Sequence, residues 1–328
     1  MGPQTAFNRR QWIGLGGAAL LLSPLAAAPP EVSDAIATGT AGRNLLTVEV
    51  LLNNRGPYHF VVDTGADRTV IADSVQRDLA FPVGNAVRVQ GIVRNIDTAT
   101  ARVANLQAGT MYREDLDFPV LPYEQLRADG YLGLDVLDGY RVSFDFRRGI
   151  LRVMDPRPSQ VRGPDAPREV PIRMSGTGGH LRSANCVVDG VACTAFVDTG
   201  AEVSVGNPLL LERLRLRQQV YGVTETIALT GVTGGAVDGN VVAVKTIKLG
   251  GLTFEDSRIA IADLQVFQLW GLQDRPCLFV GMNWLRRFNR VSIDYGRKEL
   301  RFDLASAARD NQLRDCLPGE AACRYLLG

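Results

Sequence analysis

The chain has 328 residues, 46% of them apolar and 22% charged, with 36 Lys and Arg against 35 Asp and Glu for a net charge of +1. That balance provides no electrostatic footprint for nucleic acid or an anionic membrane surface, and no basic stripe with interleaved aromatics occurs. Only two histidines, His59 and His180, are present; they give poor support for a histidine metal site or a serine triad, no cysteine spacing argues for zinc, and no cofactor is expected.

Residues 1–30 read as an address. Asn8-Arg9-Arg10-Gln11-Trp12-Ile13 opens a basic segment, an apolar run from Trp12 to Leu22 follows, and Ser23-Pro24 and Ala26-Ala27-Ala28 close it. This is the layout of a bacterial export signal, and the paired arginines resemble the twin-arginine type. The expected location is exported, in the periplasm. The alternative is an uncleaved membrane anchor, although the run is shorter than a spanning helix.

The remainder divides into halves that repeat one another, as its length allows. A lobe over residues 35–154 opens with a strand from Leu45 to Leu52, a turn at Asn53-Asn54-Arg55-Gly56 and a strand from Tyr58 to Val62. The string Asp63-Thr64-Gly65-Ala66-Asp67 follows, then a short helix over Ala72 to Leu79. Further on come Tyr131-Leu132-Gly133-Leu134 and two alternating strands, Val142 to Phe146 and Ile150 to Met154, joined at Arg147-Arg148-Gly149. A proline-rich linker occupies 155–167. The second lobe, 168–304, repeats the order: strands from Leu181 to Val188 and Val191 to Val197 around Asp189-Gly190, then Asp198-Thr199-Gly200-Ala201-Glu202. A helix over Leu209 to Leu216, Phe279-Val280-Gly281-Met282 and a strand pair from Val291 to Tyr295 and Leu300 to Leu304 complete it. Four landmarks in one order in both halves mark a duplicated unit, and strands rich in Val, Ile and Thr dominate it.

A polar tail, 305–328, holds Cys316 and Cys323, which a disulfide would staple. Cys186 and Cys193 face each other across the Asp189-Gly190 hairpin, at a hydrogen-bonded position that strains a disulfide; a bridge and two thiols are both open. Cys277 reads as a small buried hydrophobe.

A given Asp-Thr-Gly arises by chance roughly once in several thousand positions. Here two copies with matching flanks stand 135 positions apart. Each aspartate follows an apolar strand and precedes a glycine that permits a sharp turn and close backbone approach. Each threonine hydroxyl can donate across the lobe interface. Brought face to face, two carboxylates cannot both ionise near neutrality, so one holds a proton while the other activates a water.

Asp-Thr-Gly-Ala-Asp followed by a later apolar-apolar-Gly resembles the retroviral-type aspartic proteases. Two copies in one chain behind an export signal resemble the bacterial pepsin/retropepsin-like proteases, over roughly Leu45 to Leu304. The resemblance implies an all-β, bilobal acid-protease fold of two pseudo-twofold-related, barrel-like lobes with short helices, a cleft between them, and peptide-bond hydrolysis. It implies Asp63 and Asp198 as catalytic residues, interlocking hydroxyl contacts from Thr64 and Thr199, turns shaped by Gly65 and Gly200, and Gly133 and Gly281 packed beneath. It also implies cleft-covering flaps, for which the candidates are Gly91, Ile92 and Val93 in the first half and Gly231, Val232, Thr233, Gly234 and Gly235 in the second. The partner would be an extended peptide or protein, with both half-sites on one chain and a monomer sufficient.

Three departures stand out. Alanines 66 and 201 follow Asp-Thr-Gly where pepsins often carry serine. Leu134 and Met282 occupy positions where retroviral enzymes carry an arginine that pairs with the acid matching Asp67 and Glu202. The first flap lacks the aromatic of pepsins. A non-catalytic peptide-binding or scaffolding protein on the same fold is the alternative function.

Overall fold

The computed structural model describes residues 35–41, 45–154, 169–175, 182–217 and 222–303. The expected export signal, linker and tail, with Cys316 and Cys323, lie outside them. In the first half the strands are β1 (Ala35–Ala41), β2 (Leu45–Leu52), β3 (Arg55–Val62), β4 (Val70–Ala72), β5 (Val83–Gln90), β6 (Asn95–Ala108), β7 (Met111–Leu121), β8 (Gly130–Leu132), β9 (Arg141–Asp145) and β10 (Ile150–Met154), with helices α1 (Asp73–Leu79), α2 (Tyr123–Leu126) and α3 (Leu134–Leu137). The second half has β11 (Glu169–Arg173), β12 (Arg182–Val188), β13 (Val191–Val197), β14 (Val205–Gly206), β15 (Val223–Thr230), β16 (Ala236–Leu249), β17 (Leu252–Ile261), β18 (Cys277–Val280), β19 (Arg290–Asp294) and β20 (Glu299–Asp303), with α4 (Pro208–Leu216), α5 (Gln265–Leu269) and α6 (Met282–Leu285).

The result is a two-lobed all-β fold. The second lobe is a seven-stranded sheet in the order β12-β13-β18-β14-β17-β16-β15, and an extra β12–β16 pairing rolls it toward a barrel. The first lobe repeats this as β2-β3-β8-β4-β7-β6-β5, with the matching β2–β6 pairing. A base sheet, β11-β20-β19-β9-β10-β1, takes strands from both halves. Its middle is the antiparallel β9–β19 pair, in which Ser143 stands opposite Ser292. Their hydroxyls meet at 2.8 Å and are buried, so a symmetric polar contact sits where the halves join.

Local sequence explains the hairpins. Asp189 and Gly190 adopt φ of 42° and 80°, the left-handed pair that suits the twist of a two-residue turn. In the first half the turn is tighter than the four residues expected. Asn53 and Asn54 take φ of 50° and 60°, Leu52 pairs directly with Arg55, and the strand has resumed by Arg55. Asparagine tolerates this backbone through local hydrogen bonding; the Asn53 side chain also accepts from Asn105 N at 3.0 Å. In the base hairpins, Asp145 and Asp294 accept from the turn amides of Arg148 and Arg297 at 3.0 and 2.8 Å.

The largest core cluster includes Phe60, Phe118, Phe144, Trp284 and Phe302; a second, inside the second lobe, is built on Phe196, Phe267 and Phe279. Cys186 and Cys193 are cross-strand partners and remain buried free thiols, as does Cys277, so the hairpin bridge is not formed. No helix among the described residues is long and apolar enough to cross a membrane.

Candidate active site

Each Asp-Thr-Gly string leaves the end of a strand that runs parallel to a partner, β3 to β8 and β13 to β18. Asp63 N donates to Leu132 O and Asp198 N to Val280 O, both at 3.0 Å. The chain then turns back on its own carboxylate. Gly65 N donates to Asp63 Oδ1 at 2.8 Å and Gly200 N to Asp198 Oδ1 at 2.9 Å. Backbone amides thus fix the position of each acid and hold one of its carboxylate oxygens.

The two turns face each other. A Cβ on Gly65 would stand 2.8 Å from Asp198 Cγ, and one on Gly200 would collide with Asp63 Cγ. Each carboxylate therefore packs against the glycine of the opposite turn, which brings the sequence-predicted pair together. The threonines interlock beneath. Thr64 Oγ1 donates to Val197 O at 3.0 Å and Thr199 Oγ1 to Val62 O at 2.6 Å. Thr64 N and Thr199 N each donate to the other's hydroxyl at 3.1 Å.

Burial, and next the charge of Asp198, raise the Asp63 carboxyl far above the ordinary carboxylate range; amide bonds from Gly65 and Ala66 pull the other way without prevailing. Tyr131 is also near: its hydroxyl is raised by burial and then by the charges of Asp63, Glu202 and Asp198.

Gly133 and Gly281 hold the turns from below. A Cβ on Gly133 would lie 2.5 Å from the Arg68 carbonyl carbon, and one on Gly281 would lie 2.6 Å from Val203 O. A second tier, not anticipated from the sequence, fastens these glycines. Thr69 Oγ1 donates to Asp135 Oδ1 at 2.7 Å and accepts from Gly133 N at 3.0 Å. In the other lobe Ser204 Oγ donates to Asn283 Oδ1 at 2.8 Å and accepts from Gly281 N at 3.0 Å. The available signal was positional: Thr69 and Ser204 stand at one offset from their aspartates, and Asp135 and Asn283 at one offset from the late glycines. Burial raises the Asp135 carboxyl despite its two bonds from Thr69.

Leu134 and Met282, in place of the retroviral arginine, are buried, and their amides donate to Ala66 O and Ala201 O, each at 2.8 Å. The acids respond differently. Asp67 is exposed, whereas Glu202 is half-buried and lies within Coulombic reach of Arg286.

The candidate flaps are the tips of the β5–β6 and β15–β16 hairpins. Gly91 N donates to Arg94 O at 3.2 Å and Gly234 N to Gly231 O at 2.9 Å, closing each tip. The tips also clasp one another: Thr233 Oγ1 donates to Arg94 O at 2.7 Å, and Arg94 Nε donates to Thr233 O at 2.9 Å. The Thr233 hydroxyl occupies the space a side chain on Gly91 would need. Ile92 O accepts from Gln265 N of α5 at 2.8 Å, docking the first hairpin on the second lobe. Val93 lies against Gly231 and Gly235, and Val232 packs on the core. A cavity of about 840 Å³ opens between hairpins and floor, with Ile92, Tyr131, Gly200, Glu202, Gly231 and Val232 among its walls.

The clasp yields an expectation. Arg94→Ala removes one of two reciprocal bonds, so amide hydrogen exchange at 91–94 and 231–235 should quicken while β8 and β18 stay protected. Unchanged exchange at the tips would show that the guanidinium holds nothing.

No cluster of His, Cys, Asp or Glu among the described residues is arranged to hold a metal. The family model described as "Aspartyl protease" matches residues 48–136 and 184–284, one stretch in each lobe. The chain belongs to the aspartyl protease family. Both matched stretches span an Asp-Thr-Gly turn and its late glycine, so the family pattern is met twice within this one chain. No curated protein matches it.

Proposed function

We propose that the chain is an aspartic endopeptidase that hydrolyses peptide bonds with a water held between Asp63 and Asp198. The observation that carries this reading is the packing of each carboxylate against the opposite turn's glycine, which makes a single proton-sharing pair of them. The pair starts with one proton. The ionised carboxylate takes a proton from the water as its oxygen attacks the scissile carbonyl carbon, while the protonated carboxyl gives its proton to the carbonyl oxygen. A gem-diol results, with no covalent enzyme intermediate. The carboxyl that took the water's proton then gives it to the amide nitrogen while the ionised partner takes a proton from a gem-diol hydroxyl; the C–N bond breaks, carboxylic acid and amine leave, and the pair regains its single proton. The two carboxyls exchange roles between the steps, so the proton belongs to the pair and not to one residue.

The substrate in this reading is an extended peptide. Hairpin backbone above and the Asp-Thr-Gly turns below offer donors and acceptors to such a strand. Thr64, Gly65, Thr199, Gly200, Gly133 and Gly281 support the dyad without touching the reaction. Export directed by residues 1–30 would place the activity in the periplasm.

The test is cleavage of an unstructured protein by the purified chain from pH 3 to 8. Peptide products are expected, with activity falling on the alkaline side as the pair loses its shared proton. A folded chain that releases no peptides at any pH would sink the proposal. Because both half-sites lie on one chain, activity per molecule should be independent of concentration. Specific activity that falls on dilution, in step with dissociation seen by sedimentation, would show that a second copy is required.

A further inference from the structure

The cavity under the hairpins is asymmetric. Its walls include Gly200, Ala201 and Glu202 from the turn after Asp198, and no residue of the turn after Asp63. The apolar wall is second-lobe core: Val203, Val205, Leu229 and Leu264 line the cavity and belong to the cluster built on Phe196, Phe267 and Phe279. The cavity beside the Asp198 turn therefore has the room and the apolar wall to take a large apolar side chain.

The exposed part of the lining, its rim, includes charged residues of the first lobe. Arg94, Glu124 and Arg127 line the cavity and are exposed. Arg94 spends Nε on Thr233 O, and its Nη2 lies over Gly234 beside the Gln125 side chain. Arg127 caps the C-terminus of α2 with a left-handed backbone, φ 53°, and its guanidinium has no hydrogen bond or ion pair among the described residues. Glu202, deeper in the cavity, has Arg286 nearby to offset its charge. The rim is left with two cations against Glu124, an excess of one positive charge.

We propose that Arg94 and Arg127 determine specificity by selecting an acidic side chain on an extended peptide whose neighbouring apolar side chain fills the cavity. This rests on the peptide-cleaving reading above. Exposed charges act modestly, so the expected preference is about five-fold, the upper end for a solvated ion pair, and it is screened by salt.

The experiment separates recognition from chemistry. Labelled, unstructured peptides carrying one phenylalanine are made in matched pairs, with Glu or Gln at each neighbouring position in turn. Binding to the Asp63→Asn variant, or to Asp198→Asn should the first not fold, is read by fluorescence anisotropy, and cleavage by the parent is read in parallel. At one position the Glu peptide should bind about five-fold more tightly than its Gln twin at low salt. That ratio should collapse toward unity at high salt and in Arg127→Ala, and should rise in Glu124→Gln. Arg127 is the residue to change, because Arg94 also fastens the hairpins. Equal binding of both twins at every position, a ratio indifferent to Arg127→Ala, or binding of neither peptide overturns the proposal. Preferential binding with no cleavage by the parent upholds the rim and overturns the protease reading. Cleavage without preference does the reverse.

Discussion

Asp63→Asn and Asp198→Asn are each expected to cut peptide cleavage by about 10²–10⁴-fold or more while the protein stays folded. General acid–base catalysis contributes that much where a positioned group moves a proton in the transition state, and in the proposed mechanism the two acids act as one unit. An asparagine can accept from the amide of Gly65 or Gly200 as the aspartate does, so the turn keeps its 2.8 or 2.9 Å contact. What it lacks is the exchangeable proton. The same variants should also gain stability at alkaline pH. The folded state holds a proton on Asp63 far above its ordinary range, so folded protein binds more protons than unfolded as pH rises from the usual carboxylate range through the raised value. Stability of the parent therefore falls across that window. Asp63→Asn removes the group, and its melting temperature should match the parent near pH 4 and exceed it above the window. Retained cleavage in either variant would exclude the shared-proton dyad, and identical melting profiles would show that the carboxylates do not strain one another.

The second large effect is on the joint between lobes. Thr199→Val keeps the shape of the side chain and deletes the hydroxyl that donates to Val62 O and accepts from Thr64 N. Both partners are buried, and no water can replace the lost group without opening the interface. A buried polar group left without a partner costs about 1–3 kcal/mol, so two imply a loss of about 2–6 kcal/mol. Thr199→Ser retains both bonds and should recover most of the loss. Denaturant unfolding of the three proteins measures it. A valine variant as stable as the parent would mean that the lobes are held by the base sheet alone.

What could be read from the residues, and what could not, follows from the range of the interactions. The Asp-Thr-Gly turns, the late glycines and the base hairpins are local, and repetition exposed them. Hairpin tips at Gly91 and Gly231 were legible because glycines recur at one place in both halves. Their clasp was not, since Arg94 and Thr233 are 139 positions apart and neither belongs to a periodic pattern. Nor were the Thr69–Asp135 and Ser204–Asn283 supports, whose chemistry differs between lobes. The short first-half turn was misjudged because Gly56 suggested a bend, whereas the two asparagines take the left-handed backbone themselves.

The clasp has a pharmacological side. Since Arg94 and Thr233 bind each other's backbone, a compound wedged over that junction would hold the two hairpin tips together without approaching either aspartate. Such an inhibitor would be indifferent to the acidity of the dyad, and its affinity would follow the identity of residues 94 and 233. A transition-state mimic would follow the pH of the pair.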